Sequence, residues 1–214
     1  MDIFILLGAP GAGKGTVAAL VAPAVGARHI STGAMLREAV CRKTTAGLSA
    51  KKYMDAGELV PDSVLVEMIE DLIVASPSDT IAILDGFPRT VPQAEALDSL
   101  ARKHNANVKK AVCLDVPDAL IMKRLGGRRV CPACGAGFHV SALPPKKEGI
   151  CDMCNAELIT RTDDQPETIQ NRLAVYEKQT APLINFYTKQ GKLVHVDASG
   201  NVEENVPRVL AVMK

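Results

Sequence analysis

The sequence has no tryptophan, only three tyrosines and four phenylalanines, and no apolar run approaching the ~20 residues that a membrane helix needs. Scarce aromatics exclude a base-stacking platform of the single-strand-binding kind. The missing long run excludes a membrane span, and the opening DIFILL has no basic segment before it, unlike a secretory signal, so a cytoplasmic setting is expected. A dominant charge is absent too. With 25 Lys+Arg against 24 Asp+Glu the net charge is +1, too small for a global field that would wrap nucleic acid or coat an anionic membrane. Anion binding must therefore be local. Repeats and low-complexity tracts are also missing. What remains is ordinary for a folded chain: 214 residues, 47% hydrophobic and 23% charged, enough for one core with inserts.

Short apolar runs at Ile3 to Leu7, Ile81 to Leu84, Ala111 to Val116 and Leu193 to Val196 have the pattern of strands buried on both faces. His29 to Ser31 is a candidate fifth. Helical patterns lie between them, at Thr16 to Ala24, Asp62 to Ala75, Val91 to Lys103, Pro117 to Leu125, Pro166 to Gln190 and Val202 to Met213. The alternation predicts an α/β fold, a doubly wound parallel sheet of about five strands. Thr32 to Val60 and Arg128 to Ile159 break the pattern and are expected as inserts, the first of short helices and turns, the second rich in glycine, proline and cysteine.

Gly8-Ala9-Pro10-Gly11-Ala12-Gly13-Lys14-Gly15-Thr16 follows a strand pattern and opens a helix pattern. In that context glycines let successive backbone N–H groups face phosphate oxygens, and a helix amino terminus adds partial positive charge. Lys14 would bridge the terminal phosphates. Gly15 stands where the strict motif has Ser or Thr, so Thr16 is not assigned as a direct magnesium ligand. Asp85-Gly86-Phe87-Pro88-Arg89 follows the strand Ile81 to Leu84, where open α/β sheets bind ligands. A carboxylate there can hold magnesium or its waters, and an arginine can grip a phosphate with two N–H groups.

Cys131-Pro-Ala-Cys134 and Cys151-Asp-Met-Cys154 have the spacing of a four-cysteine zinc site. A closed tetrahedral site leaves no position for substrate, which argues for a structural ion. His139 as a replacement ligand, iron or cobalt as the ion, and two disulfides remain alternatives, the last disfavoured by compartment. Cys113, within AVCLDV, is expected as a small buried hydrophobe.

Six motifs in order, GAPGAGKGT, STGAMLRE, GELVPD, DGFPRTVPQAEAL, GRRV and TRTDDQPETIQNRL, span nearly the whole chain, which resembles the adenylate kinases within the nucleoside monophosphate kinases. The resemblance implies reversible transfer of a phosphoryl group from Mg–ATP to AMP, giving two ADP, by a monomer without nucleic-acid or membrane partners. It implies a core of residues 1–30, 61–122 and 161–214, a nucleotide-monophosphate insert at 31–60, and a lid at 123–160 resembling the zinc-bearing lids of some bacterial members. Gly11, Ala12, Gly13, Lys14, Gly15, Thr16, Arg124 and Arg128 would hold ATP. Thr32, Arg37, Glu58, Leu59, Val60, Gly86, Arg89, Gln93, Arg161 and Arg172 would hold AMP, with Thr32 and Gln93 near its base. Lys14, Asp85, Arg89, Arg124, Arg128, Arg161 and Arg172 would serve the chemistry, Asp85 lying close to magnesium. Asp163 and Asp164 resemble residues that fasten the lid; their alternative is a helix cap before Pro166. Two competing functions are a kinase preferring another donor or acceptor nucleotide and a zinc-ribbon nucleic-acid binder built on the CxxC pairs and the basic cluster Lys123, Arg124, Arg128 and Arg129.

Overall fold

The structure is a computed structural model that describes residues 1–213, apart from the side chain at position 46. Five strands, β1 (Asp2–Leu7), β2 (Ala27–Ser31), β3 (Ile81–Asp85), β4 (Asn107–Asp115) and β7 (Leu193–Asp197), form one parallel sheet in the order β2-β3-β1-β4-β7. Successive residues of the central strand feed two cores. Ile3, Ile5 and Leu7 pack in one with Ala82, Leu84, Ala111 and Leu183, whereas Leu6 packs in the other with Ile83, Val112, Leu114 and Val21. Burial on both faces is why these strands read as continuous apolar runs.

Helix α1 (Lys14–Ala24) and α9 (Val202–Met213) cover one face. On the other lie α4 (Asp62–Val74), α5 (Val91–Lys103) and α8 (Pro182–Lys189). Between β2 and α4 the chain forms α2 (Thr32–Cys41) and α3 (Thr45–Ala56), the short helices expected there. Three local caps set helix starts: the hydroxyls of Ser31, Thr44 and Thr90 accept N–H bonds from Ala34, Gly47 and Gln93. Such a cap contributes about 1 kcal/mol. After α6 (Asp118–Gly126), the strands β5 (Arg128–Val130) and β6 (Gly137–His139) pair antiparallel in a separate small sheet. Among the described residues no helix is long and apolar enough to cross a membrane.

Two expectations need correction. β4 starts at Asn107 rather than Ala111, because Asn107, Val108 and Lys110 pair with β1 although the stretch is largely polar, the register shifting past Lys109. The single helix expected over Pro166 to Gln190 is broken into α7 (Pro166–Val175), a π turn at Tyr176–Thr180, and α8. Pro182 has no N–H to offer, and the Ala181 N–H bonds instead to the Tyr176 carbonyl, five residues back.

Candidate active site

The chain runs from central β1 toward β2 on one side and later to β4 on the other, so the carboxyl end of β1 is the sheet's switch point, where open α/β sheets take ligands. The loop 8–13 leaves β1 there. Gly8 has φ +134°, and a Cβ on it would lie 2.8 Å from the Leu114 carbonyl oxygen, so only glycine lets the loop turn this close to β4. The amino end of α1 has no side-chain cap, leaving its N–H groups for a ligand. Lys14 folds back along the loop and its Nζ donates to the carbonyls of Gly8 (2.6 Å) and Ala9 (3.0 Å). Burial lowers its pKa to about 8, against the pull of Asp85. Gly15 faces Asp85: a Cβ there would be 3.2 Å from Oδ2, so a side chain at this position would require the carboxylate to shift.

Asp85 ends β3 and is buried, with Oδ2 3.5 Å from His29 Nε2 on the neighbouring strand. Burial alone would raise its carboxyl pKa, but the adjacent His29 imidazole and the Lys14 charge hold it below the ordinary value. It is an anion facing the phosphate loop. Thr32 is also buried, its hydroxyl donating to the Asp85 carbonyl at 3.4 Å. Gln93 is fully buried and bonded at both ends, accepting from the Arg89 N–H (2.7 Å) and donating to Asp62 Oδ1 (2.6 Å). Its amide is not among the groups that wall the neighbouring cleft.

One cleft between α2, α3 and the core is walled by Thr32, Arg37, Glu58, Leu59, Val60, Gly86, Arg89, Arg161 and Arg172. Nine of the ten residues expected to hold a monophosphate thus meet, Gln93 being the exception. Burial pushes Arg37 and Arg172 down to about 10 and Arg89 below its ordinary value, as expected of cations crowded out of water. Two carboxylates answer them. Asp163 pairs with Arg161 (Nε to Oδ1, 2.8 Å) and Arg172 (3.3 Å), while Asp164, buried, pairs with Arg128 (Nε to Oδ2, 2.6 Å) and Arg172 (2.9 Å). The cap reading for these aspartates is overturned, since α7 is entered through Gln165 with no side-chain cap bond. Arg124 lies apart from the cleft; it donates to the carbonyls of Ala198 (2.9 Å) and Gly200 (2.8 Å) and reaches Ala12 of the phosphate loop at 3.4 Å.

Sequence reasoning missed three contributors: His29 behind Asp85, Asp62 holding Gln93, and the 198–200 carbonyls holding Arg124. Only Asp62 lay inside a recognised motif, GELVPD. The inward bonding of Arg124 and Arg128 also removes two members of the basic cluster on which nucleic-acid binding would rest.

The four paired cysteines converge. Their sulfurs lie within 4.8 Å of one another, with Cys131–Cys154 at 3.3 Å and Cys134–Cys151 at 3.5 Å, and all are free thiols rather than disulfides. Two turns of the same build aim them. In each, the N–H of the residue after the second cysteine bonds to the first cysteine's carbonyl, Gly135 to Cys131 (3.0 Å) and Asn155 to Cys151 (2.9 Å), and both residues have positive φ. A tetrahedral zinc thiolate site has sulfur edges of about 3.8 Å, so the cluster fits such an ion. His139 is not in the group; its Nδ1 accepts from the N–H groups of Ser141 and Ala142.

A phosphate loop at the switch point of a parallel sheet, facing a cleft of arginines, defines a P-loop nucleotide phosphotransferase. The adenylate kinase family model matches residues 6–192. Relatives include the adenylate kinases of Ruminiclostridium cellulolyticum, 49% identical over 98% of both chains, Carboxydothermus hydrogenoformans, 48% over 94% of both, and Syntrophobacter fumaroxidans, 48% over 98% of both. The chain belongs to the adenylate kinase family and is an enzyme.

Proposed function

We infer that the chain transfers the terminal phosphoryl group of ATP to AMP, reversibly, giving two ADP, as a cytoplasmic monomer. The observation that carries the reading is the meeting of the Lys14 phosphate loop with a cleft holding Arg37, Arg89, Arg161 and Arg172. The names of the relatives support the same substrates. Lys14 and the amides of residues 11–16 would hold the ATP phosphates, with Arg124 and Arg128 beside them. The cleft arginines would hold the AMP phosphate and spread charge from the transferring group, while Glu58, Leu59 and Val60 would line the AMP side. Thr32 stands at the cleft edge, and Gln93 reaches the base only by turning its amide from Asp62.

Phosphoryl transfer asks the protein to align donor and acceptor and neutralise the equatorial oxygens, so no covalent nucleophile is required. An AMP phosphate oxygen attacks the γ-phosphorus, and the β–γ bridging oxygen leaves with ADP. Asp85, an anion beside the loop, fits Mg2+ or its waters, and the ion's contribution when bound is to neutralise charge on the terminal phosphates. Residues 31–60 and 123–160 act as closing flaps that exclude water, and the four cysteines hold a structural zinc in the second. A segment of this size has too little core to keep its shape alone.

The test is ADP formation from ATP and AMP with magnesium, across a panel of acceptor nucleotides. A large preference for UMP or CMP would replace AMP as acceptor. The free-enzyme Lys14 must be protonated to meet phosphate, so kcat/KM for ATP falls as pH rises through about 8. Bound phosphate raises that pKa, so kcat at saturation holds to higher pH. Lys14→Arg should move the fall in kcat/KM upward; an unmoved profile assigns it to another group. Chelation should lower Tm by roughly 5–10 °C and expose the four lid thiols to a thiol reagent, while chains still folded keep turning over. Lost turnover with an unchanged fold would make the metal catalytic.

A further inference from the structure

A second cleft, of about 450 Å³, lies between the carboxyl ends of β4 and β7 and the π turn at Tyr176–Thr180, and the function above makes no use of it. Cys113 and Asp115 stand two residues apart on β4 and line this cleft; His195, on β7, is the register partner of Cys113. The three offer sulfur, oxygen and nitrogen atoms that all lie within 4.8 Å of one another. His195 Nδ1 is 2.9 Å from Asp115 Oδ2, and Cys113 Sγ is 3.5 Å from Asp115 Oδ1. A tetrahedral ion with one sulfur at ~2.3 Å and nitrogen and oxygen at ~2.0–2.1 Å sets ligand edges of about 3.3–3.6 Å. The group is therefore close to a ligand set before any ion arrives.

The surroundings favour a cation. Asp118, Glu177 and Asp197 line the same cleft; two cations approach that lining, Arg208, 3.2 Å from Asp197, and Arg124, which donates to the Ser199 carbonyl at 3.4 Å. Among the described residues Asp115 has no ion-pair partner except His195.

We propose that Cys113, Asp115 and His195 form a second metal site, for Zn2+ or a similar borderline divalent ion, with its fourth position open to the cleft. The mixed thiolate, imidazole and carboxylate set excludes Mg2+ and Ca2+, which take oxygen ligands. As the ion enters, the Cys113 thiol proton leaves to solvent, and the Nδ1 proton that His195 shares with Asp115 is also released, the imidazole carrying its remaining proton on Nε2 by exchange with solvent, which frees Nδ1. Three protein ligands and one open position distinguish this site from the closed four-cysteine one. Its place is notable: Leu114, between the two β4 ligands, backs onto Gly8, and Ala9 lines the cleft, so an ion here sits beside the phosphate loop.

The experiment compares wild type, Cys113→Ser and His195→Asn, each dialysed against micromolar free Zn2+ and analysed for metal per chain. Comparison with wild type cancels whatever the four-cysteine site holds. Both variants should carry one zinc fewer, and Co2+ substitution should show tetrahedral cobalt–thiolate bands that Cys113→Ser diminishes. Equal metal content in wild type and either variant, or a cobalt spectrum unchanged by Cys113→Ser, overturns the proposal. His195 is half exposed, so His195→Asn keeps the fold and decides the question even if the buried serine does not.

Discussion

Lys14→Met is expected to lower kcat/KM for ATP by roughly 10³-fold, about 4 kcal/mol of transition-state stabilisation. The loss is large because the ammonium is already out of water. It lies against the Gly8 and Ala9 carbonyls, with Asp85 as its anionic neighbour, so no solvent has to be reorganised when charge moves to the terminal phosphates. Methionine keeps the stem and deletes the charge. Since burial already disfavours that charge, Tm should move by only a few degrees, and a thermal melt beside the initial rates separates lost chemistry from lost fold. Undiminished turnover in a folded Lys14→Met protein would remove the lysine from the reaction.

Asp164→Ala acts on stability first. The carboxylate is fully buried and shared by Arg128 and Arg172, and its removal leaves the largely buried Arg128 guanidinium without its carboxylate and Arg172 with Asp163 alone. Breaking a buried pair from one side costs about 3–5 kcal/mol, which in a chain of this size lowers Tm by roughly 6–15 °C. Its neighbour gives the pH counterpart. Burial would raise the Asp163 pKa, but Arg161 and Arg172 hold it below the ordinary carboxylate value. A depressed folded-state pKa contributes stability that is present at neutral pH and lost as pH falls through and below the carboxylate range. Differential scanning from pH 7 to 3 should show that loss in wild type and less of it in Asp163→Asn.

The parts legible in the sequence were those fixed by local rules. Ile3 to Leu7 and Ile81 to Leu84 read as strands because both of their faces are buried, and the paired CxxC spacings placed four sulfurs together because each knuckle is a closed local turn. What escaped was set by partners distant in the chain. Asn107 to Lys110 is strand because β1 pairs with it, and no local pattern announces that. Pro182 was visible, but its effect on the preceding turn was misjudged because the flanking apolar periodicity runs through it. Asp163 and Asp164 had two readings, lid fasteners and a helix cap, and only the arginines that claim their oxygens, the nearby Arg161 and Arg172 and the distant Arg128, decide against the cap. Arg37, Arg89, Arg161 and Arg172 came as a group only through the ordered motifs; singly, each reads as surface charge.

The pairing of Arg128, Arg161 and Arg172 with Asp163 and Asp164 gives the free protein a set of internal counter-ions. Arriving phosphate then trades places with a tethered carboxylate as well as with salt from the bath. An exchange of that kind releases fewer mobile ions than the number of cations would suggest. Nucleotide affinity should accordingly fall less steeply with ionic strength than at an open basic patch of equal charge.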